Sequence, residues 1–139
     1  MNQTLRWLLL VPVLFAASAV SFALLTLIWN VVANVNIVSQ NDVISLGLAN
    51  FGINAFSAAA GVAAGSAVVP SNKSKAASAA ATMSVVVALA LLVWAFARSS
   101  PLIMSLGWHV WCTVGWLVGA VWAAMIVRGN NKITDAPAT

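Results

Sequence analysis

Charged side chains are scarce in this sequence, where Asp, Glu, Lys and Arg make up only 6% of the 139 residues. A soluble domain carries about 25% of these residues on average. Because 63% of the chain is hydrophobic, a water-exposed surface would consist largely of Ala, Val and Leu and would aggregate. The shortage of charge therefore excludes an ordinary soluble domain and indicates a chain that dissolves in lipid.

Reactive and metal-binding side chains are also scarce, since Cys112 and His109 are the single cysteine and the single histidine. One cysteine excludes an internal disulfide and a cysteine-based metal cage. Asp42 and Asp135 lie outside the apolar runs, so no carboxylate pair for general acid–base catalysis can form within the membrane. A serine–histidine–aspartate arrangement of Ser105, His109 and Asp42 stays open, but the sequence predicts a protein that is not an enzyme.

Long apolar runs are the abundant feature, and four of them are separated by short polar breaks. A helix of about 20 apolar residues spans the ~30 Å hydrocarbon core of a bilayer, and backbone amides in lipid must bond within their own helix. The sequence therefore predicts an all-α, polytopic membrane protein in which residues 1–139 form a single four-transmembrane-helix bundle. The predicted spans cover about Trp7 to Trp29, Leu46 to Val69, Ala76 to Ala97 and Leu102 to Val127, followed by a short polar tail over 128–139.

Basic residues predict the orientation of these spans, because Lys and Arg near span ends mark the cytoplasmic side. One side carries Arg6, Lys73, Lys75, Arg128 and Lys132, whereas the opposite side carries only Arg98. We therefore expect both termini in the cytoplasm and the protein in a bacterial inner membrane, surrounded by membrane lipids. Nucleic acid is not an expected partner, because the basic residues are scattered singly and form no stripe.

Small residues form a face on each of two spans. Gly61 and Gly65 make a G-x-x-x-G pair that Ser57 extends, and Gly115 and Gly119 repeat the theme in the fourth span. Small residues four positions apart let helix backbones approach closely. Two interpretations stay open: the faces pack against other helices of the same bundle, or they dock a helix of a partner protein.

Polar side chains are predicted to meet in one layer of the bundle. At ~1.5 Å of rise per residue, Ser21, Asn54 and His109 lie at similar depths below the outer ends of their spans. Asn50 and Thr113 lie one turn away from Asn54 and His109 on the same helical faces. Because polar side chains in lipid turn toward the bundle and bond across helices, we expect these five residues to form a polar layer in the outer leaflet.

Three interpretations of the polar layer stay open. The first is structural, with hydrogen bonds that hold the helices together. The second is a hydrated path for a small solute or ion. The third is a tetrapyrrole site in which His109 ligates a haem iron or a chlorophyll magnesium, although a single histidine cannot supply both axial ligands of a typical membrane b-type haem.

In size and in its small-residue helices, the chain resembles the small multidrug resistance transporters. Members of that family carry a membrane-embedded glutamate in the first helix, which couples protons to cations. The first span of this chain, Trp7 to Trp29, contains no acidic residue. The resemblance therefore covers size and helix composition, and it does not supply the residue that would implement drug–proton antiport.

The function expected from these features is that of a non-catalytic structural or accessory subunit of a larger inner-membrane complex. Such a subunit would dock other integral membrane subunits through the small-residue faces and would need no cofactor. The alternative is a small homo-oligomeric transporter or channel that uses the polar layer. A pigment- or haem-binding subunit, with the tetrapyrrole held through His109, is the third hypothesis.

Overall fold

A computed structural model describes residues 2–34, 43–69, 72–98 and 103–134, which fold as four helices. These helices are α1 (Gln3–Asn34), α2 (Val43–Ala67), α3 (Lys73–Arg98) and α4 (Ile103–Thr134). Each helix is long and apolar enough to cross a membrane. The prediction of an all-α bundle of four membrane-spanning helices is thus confirmed, and by the length and composition of its helices the chain is an integral membrane protein.

The helix ends differ from the predicted spans by several residues. α4 continues past Val127 to Thr134, so the first part of the predicted polar tail is helical. α2 ends at Ala67, two residues before the predicted end of the second span. Polar residues at the bilayer surface can continue a helix because their backbone bonds are internal. α2 ends near Pro70, as helices usually do at or before the residue that precedes a proline.

α2 is the central helix, because it packs extensively on both α1 and α4. It runs antiparallel to α1, since Gly61 lies against Ser18 while Gly65 lies against Leu10 and Leu14. It runs parallel to α4, where Gly115 approaches Phe51 and Gly119 approaches Ala55. α3 packs mainly on α4, less on α2 and only slightly on α1.

Both small-residue faces are therefore used within the chain. A Cβ atom added to Gly115 would lie 2.7 Å from the Phe51 carbonyl oxygen, and one added to Gly119 would collide with the Ala55 carbonyl oxygen. A Cβ atom on Gly61 would lie 2.8 Å from the Leu14 carbonyl oxygen. Only glycine allows these backbones to approach so closely, and the close approach gives dispersion contacts that lipid cannot match.

One half of the bundle is tightly packed, and most of its buried side chains are small. We call it the basic half and define it as residues 6–18, 57–69, 73–84 and 119–130. Its buried cluster contains, among others, Leu10, Leu14, Ala58, Val62, Val69, Ala76, Ala77, Ala80, Ala120 and Ala124. Arg128 donates hydrogen bonds from Nε, at 3.1 Å, and from Nη2 to the Ser78 hydroxyl oxygen, which ties α4 to α3 at this end.

The outward faces of all four helices are apolar. Leu8, Ile44 and Val93, for example, are each 67–72% exposed. In water this surface would be unfavourable at about 25 cal/mol per Å² of apolar area, whereas in a bilayer it is matched to the acyl chains.

Candidate functional site

The other half of the bundle, residues 19–34, 43–56, 85–98 and 103–118, is called the cavity half because it contains an open cavity of about 290 Å³. All four helices contribute to its lining. α3 supplies Val87, Ala88, Leu91, Leu92 and Ala95, α4 supplies His109, Cys112, Thr113 and Trp116, and α1 and α2 supply Phe15 and Asn54. Phe15 also packs against the buried cluster of the basic half, so the cavity ends where the alanine-packed core begins.

The sequence of α3 explains why the cavity forms at this place. The first half of α3 is rich in alanine, and Ala76, Ala77 and Ala80 are fully buried because their small side chains let α3 lie close to its neighbours. Beyond Ala88 no described side chain of α3 is fully buried, and bulkier residues such as Leu91 take over. The helix is therefore in close contact at its start and leaves space beside α1, α2 and α4 further along.

Asn54 and Thr113 bring an amide and a hydroxyl group to the cavity. Asn54 Nδ2 donates to the Asn50 carbonyl oxygen at 2.8 Å, and Thr113 Oγ1 donates to the His109 carbonyl oxygen at 2.8 Å. One donor of each side chain thus bonds to the carbonyl four residues earlier on its own helix, as is common for such side chains in helices. What remains for a ligand is the second N–H and the Oδ1 atom of the Asn54 amide, together with the lone pairs of the Thr113 hydroxyl.

His109 and Cys112 place an imidazole and a thiol on the same wall of the cavity. His109 is exposed on the outside of the bundle as well, and Cys112 is partly buried. The cavity therefore reaches the surface of the bundle beside α4. Within the part of the chain that the structure describes, no three His, Cys, Asp or Glu side chains come together as a metal-binding group.

Trp116 is one of the lining residues, and its Nε1 atom has almost no accessible surface. This N–H group has no hydrogen-bond partner among the described residues. An indole N–H can only donate, and a buried donor without an acceptor costs about 1–3 kcal/mol. Among the described lining residues, Trp116 therefore carries a fully buried donor that has no acceptor.

The five residues of the predicted polar layer do not all meet. Asn54, His109 and Thr113 line the cavity together, whereas Ser21 and Asn50 lie outside its lining. The expected bonds across helices are replaced by bonds within helices, since Asn50 Nδ2 donates to the Leu46 carbonyl oxygen at 3.0 Å. A carbonyl on the same helix is always within reach of an Asn, Ser or Thr side chain, so it competes well with a group on another helix.

The predicted docking face lies in the interior of the bundle. Ser57, Gly61, Gly65, Gly115 and Gly119 are all buried. Ser57 is fully buried, and its hydroxyl donates to the Ile53 carbonyl oxygen at 2.6 Å. Of the two interpretations left open by the sequence, packing within the bundle is the one that the positions of these residues support.

Sequence reasoning missed a direct tie between α2 and α4. Trp111 Nε1 donates to the Gly47 carbonyl oxygen at 2.8 Å, and its ring packs on Phe51 with the ring centroids 5.1 Å apart. A signal for this contact was present, because Trp111 lies four residues before Gly115 and therefore on the small-residue face of α4. An indole N–H on a packing face in lipid requires an acceptor, and a backbone carbonyl of the facing helix is the nearest one.

Comparison of the chain with protein-family models, with curated proteins and with solved structures finds no match. Its function has therefore to be argued from the cavity and the surfaces of the bundle themselves.

Proposed function

We propose that this protein is a non-catalytic membrane protein that binds a small, uncharged molecule in the cavity. The observation that carries the proposal is that Asn54, His109, Thr113 and Trp116 line one cavity inside an otherwise apolar bundle. Ligand sites are typically apolar, with a few polar groups that fix the orientation of the ligand. This cavity has the same composition, and its volume of about 290 Å³ lies near the lower end of the usual range of roughly 300–1,000 Å³.

The bilayer is the proposed source of the ligand. Leu91 lines the cavity although 60% of its surface is exposed, and His109 is exposed as well. In addition, α1 and α3 are in only slight contact, so they close the bundle loosely between them. A molecule dissolved in the hydrocarbon core can thus reach the cavity by lateral diffusion without crossing a polar surface.

Binding is better supported than conduction across the membrane. A channel through one copy of the chain would have to continue from the cavity through the basic half. There the side chains of Leu10, Leu14 and Val62 are exposed by 1% or less. These buried apolar side chains obstruct a path along the axis of the bundle. A transporter built from several copies would have to place its path between copies instead.

The chemistry of the lining also favours binding over catalysis. Among the described residues, the lining offers an imidazole, a thiol, a hydroxyl, an indole and an amide, but no carboxylate or ammonium group. General acid–base catalysis needs groups whose pKa values are matched to proton transfer. Reversible recognition of an uncharged molecule needs only shape and a few hydrogen bonds.

Co-purification tests this proposal. The protein is purified from its native membrane in mild detergent, and the small molecules bound to it are extracted and identified. Ala95→Phe places a ring in the cavity, whereas Ala90→Phe places the same ring on the exposed face of α3. We expect a molecule that accompanies the wild type and Ala90→Phe in fixed proportion and is lost from Ala95→Phe. Identical extracts from all three proteins would refute the proposal.

A second candidate is a non-catalytic subunit of a larger assembly. A shallow groove between α2 and α4 favours it, with Ala59, Ala60 and Ala63 on its floor and the exposed rings of Phe56 and Trp122 at its sides. The proposed occupant is an apolar helix of another membrane subunit, which small residues would allow to approach closely. Native mass measurement of the wild type and of Ala60→Leu tests it. A monomeric mass for both proteins would remove this candidate.

The basic residues at one end of the bundle bear on its orientation in the membrane. We propose that the basic half faces the cytoplasm of a bacterial cell and that both termini lie on that side, because Arg6, Lys73, Lys75 and Arg128 belong to it. A cysteine introduced as Ser74→Cys should then react with a membrane-impermeant maleimide only after the cells are opened.

A tetrapyrrole held by His109 would give the purified protein a visible absorption band, and a colourless preparation would exclude it.

A further inference from the structure

The basic half ends in a group of positive charges that no described carboxylate balances. The described part of the chain contains no Asp or Glu, because Asp42 precedes α2 and Asp135 follows α4. The basic residues described at this end are Arg6, Lys73, Lys75 and Arg128. An anion from outside the described bundle would therefore be attracted to this end.

Arg128 is held in one place by Ser78. Its Nε atom, at 3.1 Å, and its Nη2 atom donate to the Ser78 hydroxyl oxygen. That hydroxyl donates its own hydrogen to the Ser74 carbonyl oxygen at 2.8 Å, so its lone pairs are left for Arg128. The Nη1 atom of Arg128 takes part in neither bond, and its N–H groups are therefore left for an anion.

Lys75 brings a second cation to the same face of α3. It is exposed and lies three residues before Ser78, and side chains at this spacing are neighbours on a helix surface. Lys75 and Arg128 thus approach Ser78 from two different helices. A guanidinium group and an ammonium group placed side by side are suited to bind a phosphate group.

The position of these residues along the helices favours a phosphate group that belongs to a lipid. Arg128 directly follows Val127, the last residue of the apolar run of α4, so it lies where the acyl chains meet the headgroups. One and two turns deeper on α4, Met125 and Val121 are 57% and 48% exposed. Val86, two turns deeper than Ser78 on α3, is 59% exposed. An apolar surface therefore continues from the two cations toward the centre of the bilayer.

We propose that Lys75, Ser78 and Arg128 form a site for the phosphate group of an anionic phospholipid, whose acyl chains lie along the exposed faces of α3 and α4. Lys75 and Arg128 bind the phosphate group, and Ser78 positions Arg128. The net negative charge of the lipid complements the unbalanced cations, and its acyl chains match the apolar surface beside them. This inference goes beyond the proposed function and does not depend on the cavity.

Native mass spectrometry of the full chain in mild detergent tests the lipid class. Phosphatidylglycerol, which is anionic, and phosphatidylcholine, which is zwitterionic, are titrated with identical acyl chains. We expect phosphatidylglycerol to bind the wild type roughly tenfold more tightly, because each basic residue near an anionic lipid contributes roughly fivefold. Glycerol 3-phosphate, which has the phosphate group without the acyl chains, should not displace it.

Charge variants test the site itself. Lys75→Gln and Arg128→Gln should each weaken the binding of phosphatidylglycerol roughly fivefold and leave that of phosphatidylcholine unchanged. Arg6→Gln removes one positive charge from the same end of the bundle but on α1, and it should weaken binding less than twofold.

Ser78→Ala tests the positioning of Arg128, because it leaves the net charge unchanged. Without the bonds to Ser78 the guanidinium group has to be ordered by the lipid, so phosphatidylglycerol should bind roughly threefold more weakly.

A phosphatidylglycerol that carries a photoactivatable diazirine in its acyl chain locates the bound lipid. After irradiation we expect the label mainly on peptides that contain Val86 or Met125. Equal labelling of all four helices would contradict the proposed site.

Four results of the binding experiments would also overturn the proposal. The first is equal affinity of the wild type for the two lipids, and the second is an equal loss in Arg6→Gln and Arg128→Gln. The third is unchanged affinity in Ser78→Ala. The fourth is displacement of the lipid by glycerol 3-phosphate, which would assign the site to a soluble phosphate instead.

Discussion

The basic half and the cavity half of this bundle are built from the same four helices but are held together differently. In the basic half, alanine, glycine and serine allow close approach, and Leu10, Leu14 and Val62 fill the remaining space. In the cavity half, larger side chains of α3 such as Leu91 and Leu92 line an open cavity, and a hydrogen bond from Trp111 to Gly47 joins α2 to α4. The closely packed half holds the four helices together, and the other half can therefore contain an open, partly polar cavity.

The two halves also differ in the surroundings of their polar side chains. Ser18 and Ser84 of the basic half are buried, and neither hydroxyl has a partner among the described residues. Their small size lets the helices approach closely, and each unpaired hydroxyl is a cost of that burial. In the cavity half, by contrast, Asn54, Thr113 and His109 bring hydrogen-bonding groups to a space that a ligand can enter.

The largest difference between the two halves is expected when one methyl group is added to α2 in each of them. Gly61→Ala, in the basic half, introduces a Cβ atom 2.8 Å from the Leu14 carbonyl oxygen, whereas Gly52→Ala, in the cavity half, meets nothing within 4 Å. We expect Gly61→Ala to lower the free energy of unfolding by about 2 kcal/mol through overpacking. Gly52→Ala should be neutral or stabilising by up to about 1 kcal/mol through helix propensity.

Reversible unfolding in mixed detergent micelles, followed by circular dichroism, measures both changes. Gly119→Ala and Gly107→Ala repeat the comparison on α4, where the first would collide with the Ala55 carbonyl and the second is unobstructed. Equal stability of Gly61→Ala and Gly52→Ala would mean that the close backbone approach in the basic half contributes nothing.

Trp111→Phe tests the hydrogen bond between α2 and α4 in the cavity half. This change removes the 2.8 Å hydrogen bond to the Gly47 carbonyl oxygen while an aromatic ring remains to pack on Phe51. We expect a loss of about 1 kcal/mol in the free energy of unfolding, the net value of one such bond. Trp122→Phe, at a half-exposed site of the same helix, is the control. A loss of the same size in Trp122→Phe would assign the effect to ring size rather than to the bond.

Two buried serines test how much a hydrogen-bond partner contributes to stability inside the bundle. Ser57 and Ser84 are both fully buried, but only Ser57 has a hydrogen-bond partner in the described structure, the Ile53 carbonyl oxygen. Ser57→Ala should therefore cost about 0.5 kcal/mol, whereas Ser84→Ala should be neutral or stabilising by a similar amount, because it removes an unsatisfied donor. The free energies of unfolding of the two variants are measured under the conditions used for the glycine variants. Equal losses in the two variants would show that the Ser84 hydroxyl does find a partner in the membrane.

The smallest effect is expected at the surface end of the basic half. Arg128→Gln weakens the bonds to Ser78 that join α3 and α4. Because the pair is exposed, we expect a loss of only about 0.5 kcal/mol. Lys75→Gln removes a charge from the same end and serves as the control for charge alone. If both variants lose equal stability, the hydrogen bonds add nothing beyond the charge.

Part of the candidate site follows from the sequence and part of it does not. Depth along the helices places Asn54, His109 and Thr113 at one level, since the rise per residue is constant, and these three residues do line one cavity. The same arithmetic gave no reason to leave out Ser21 and Asn50, because depth says nothing about which way a helix face turns. The lining supplied by α3 was missed as well, since Val87 and Leu91 look like any lipid-facing residues.

By itself, the sequence determined that the chain is a bundle of four membrane-spanning helices, because long apolar runs in lipid have no other way to satisfy their backbone hydrogen bonds. It also determined where the backbones could come close, since only runs of glycine, alanine and serine permit it. Tertiary structure alone decided which helices use those faces and that α3 leaves a cavity beside Trp116. Those outcomes depend on the relative rotation of helices, which side-chain packing between distant residues sets and no local pattern encodes.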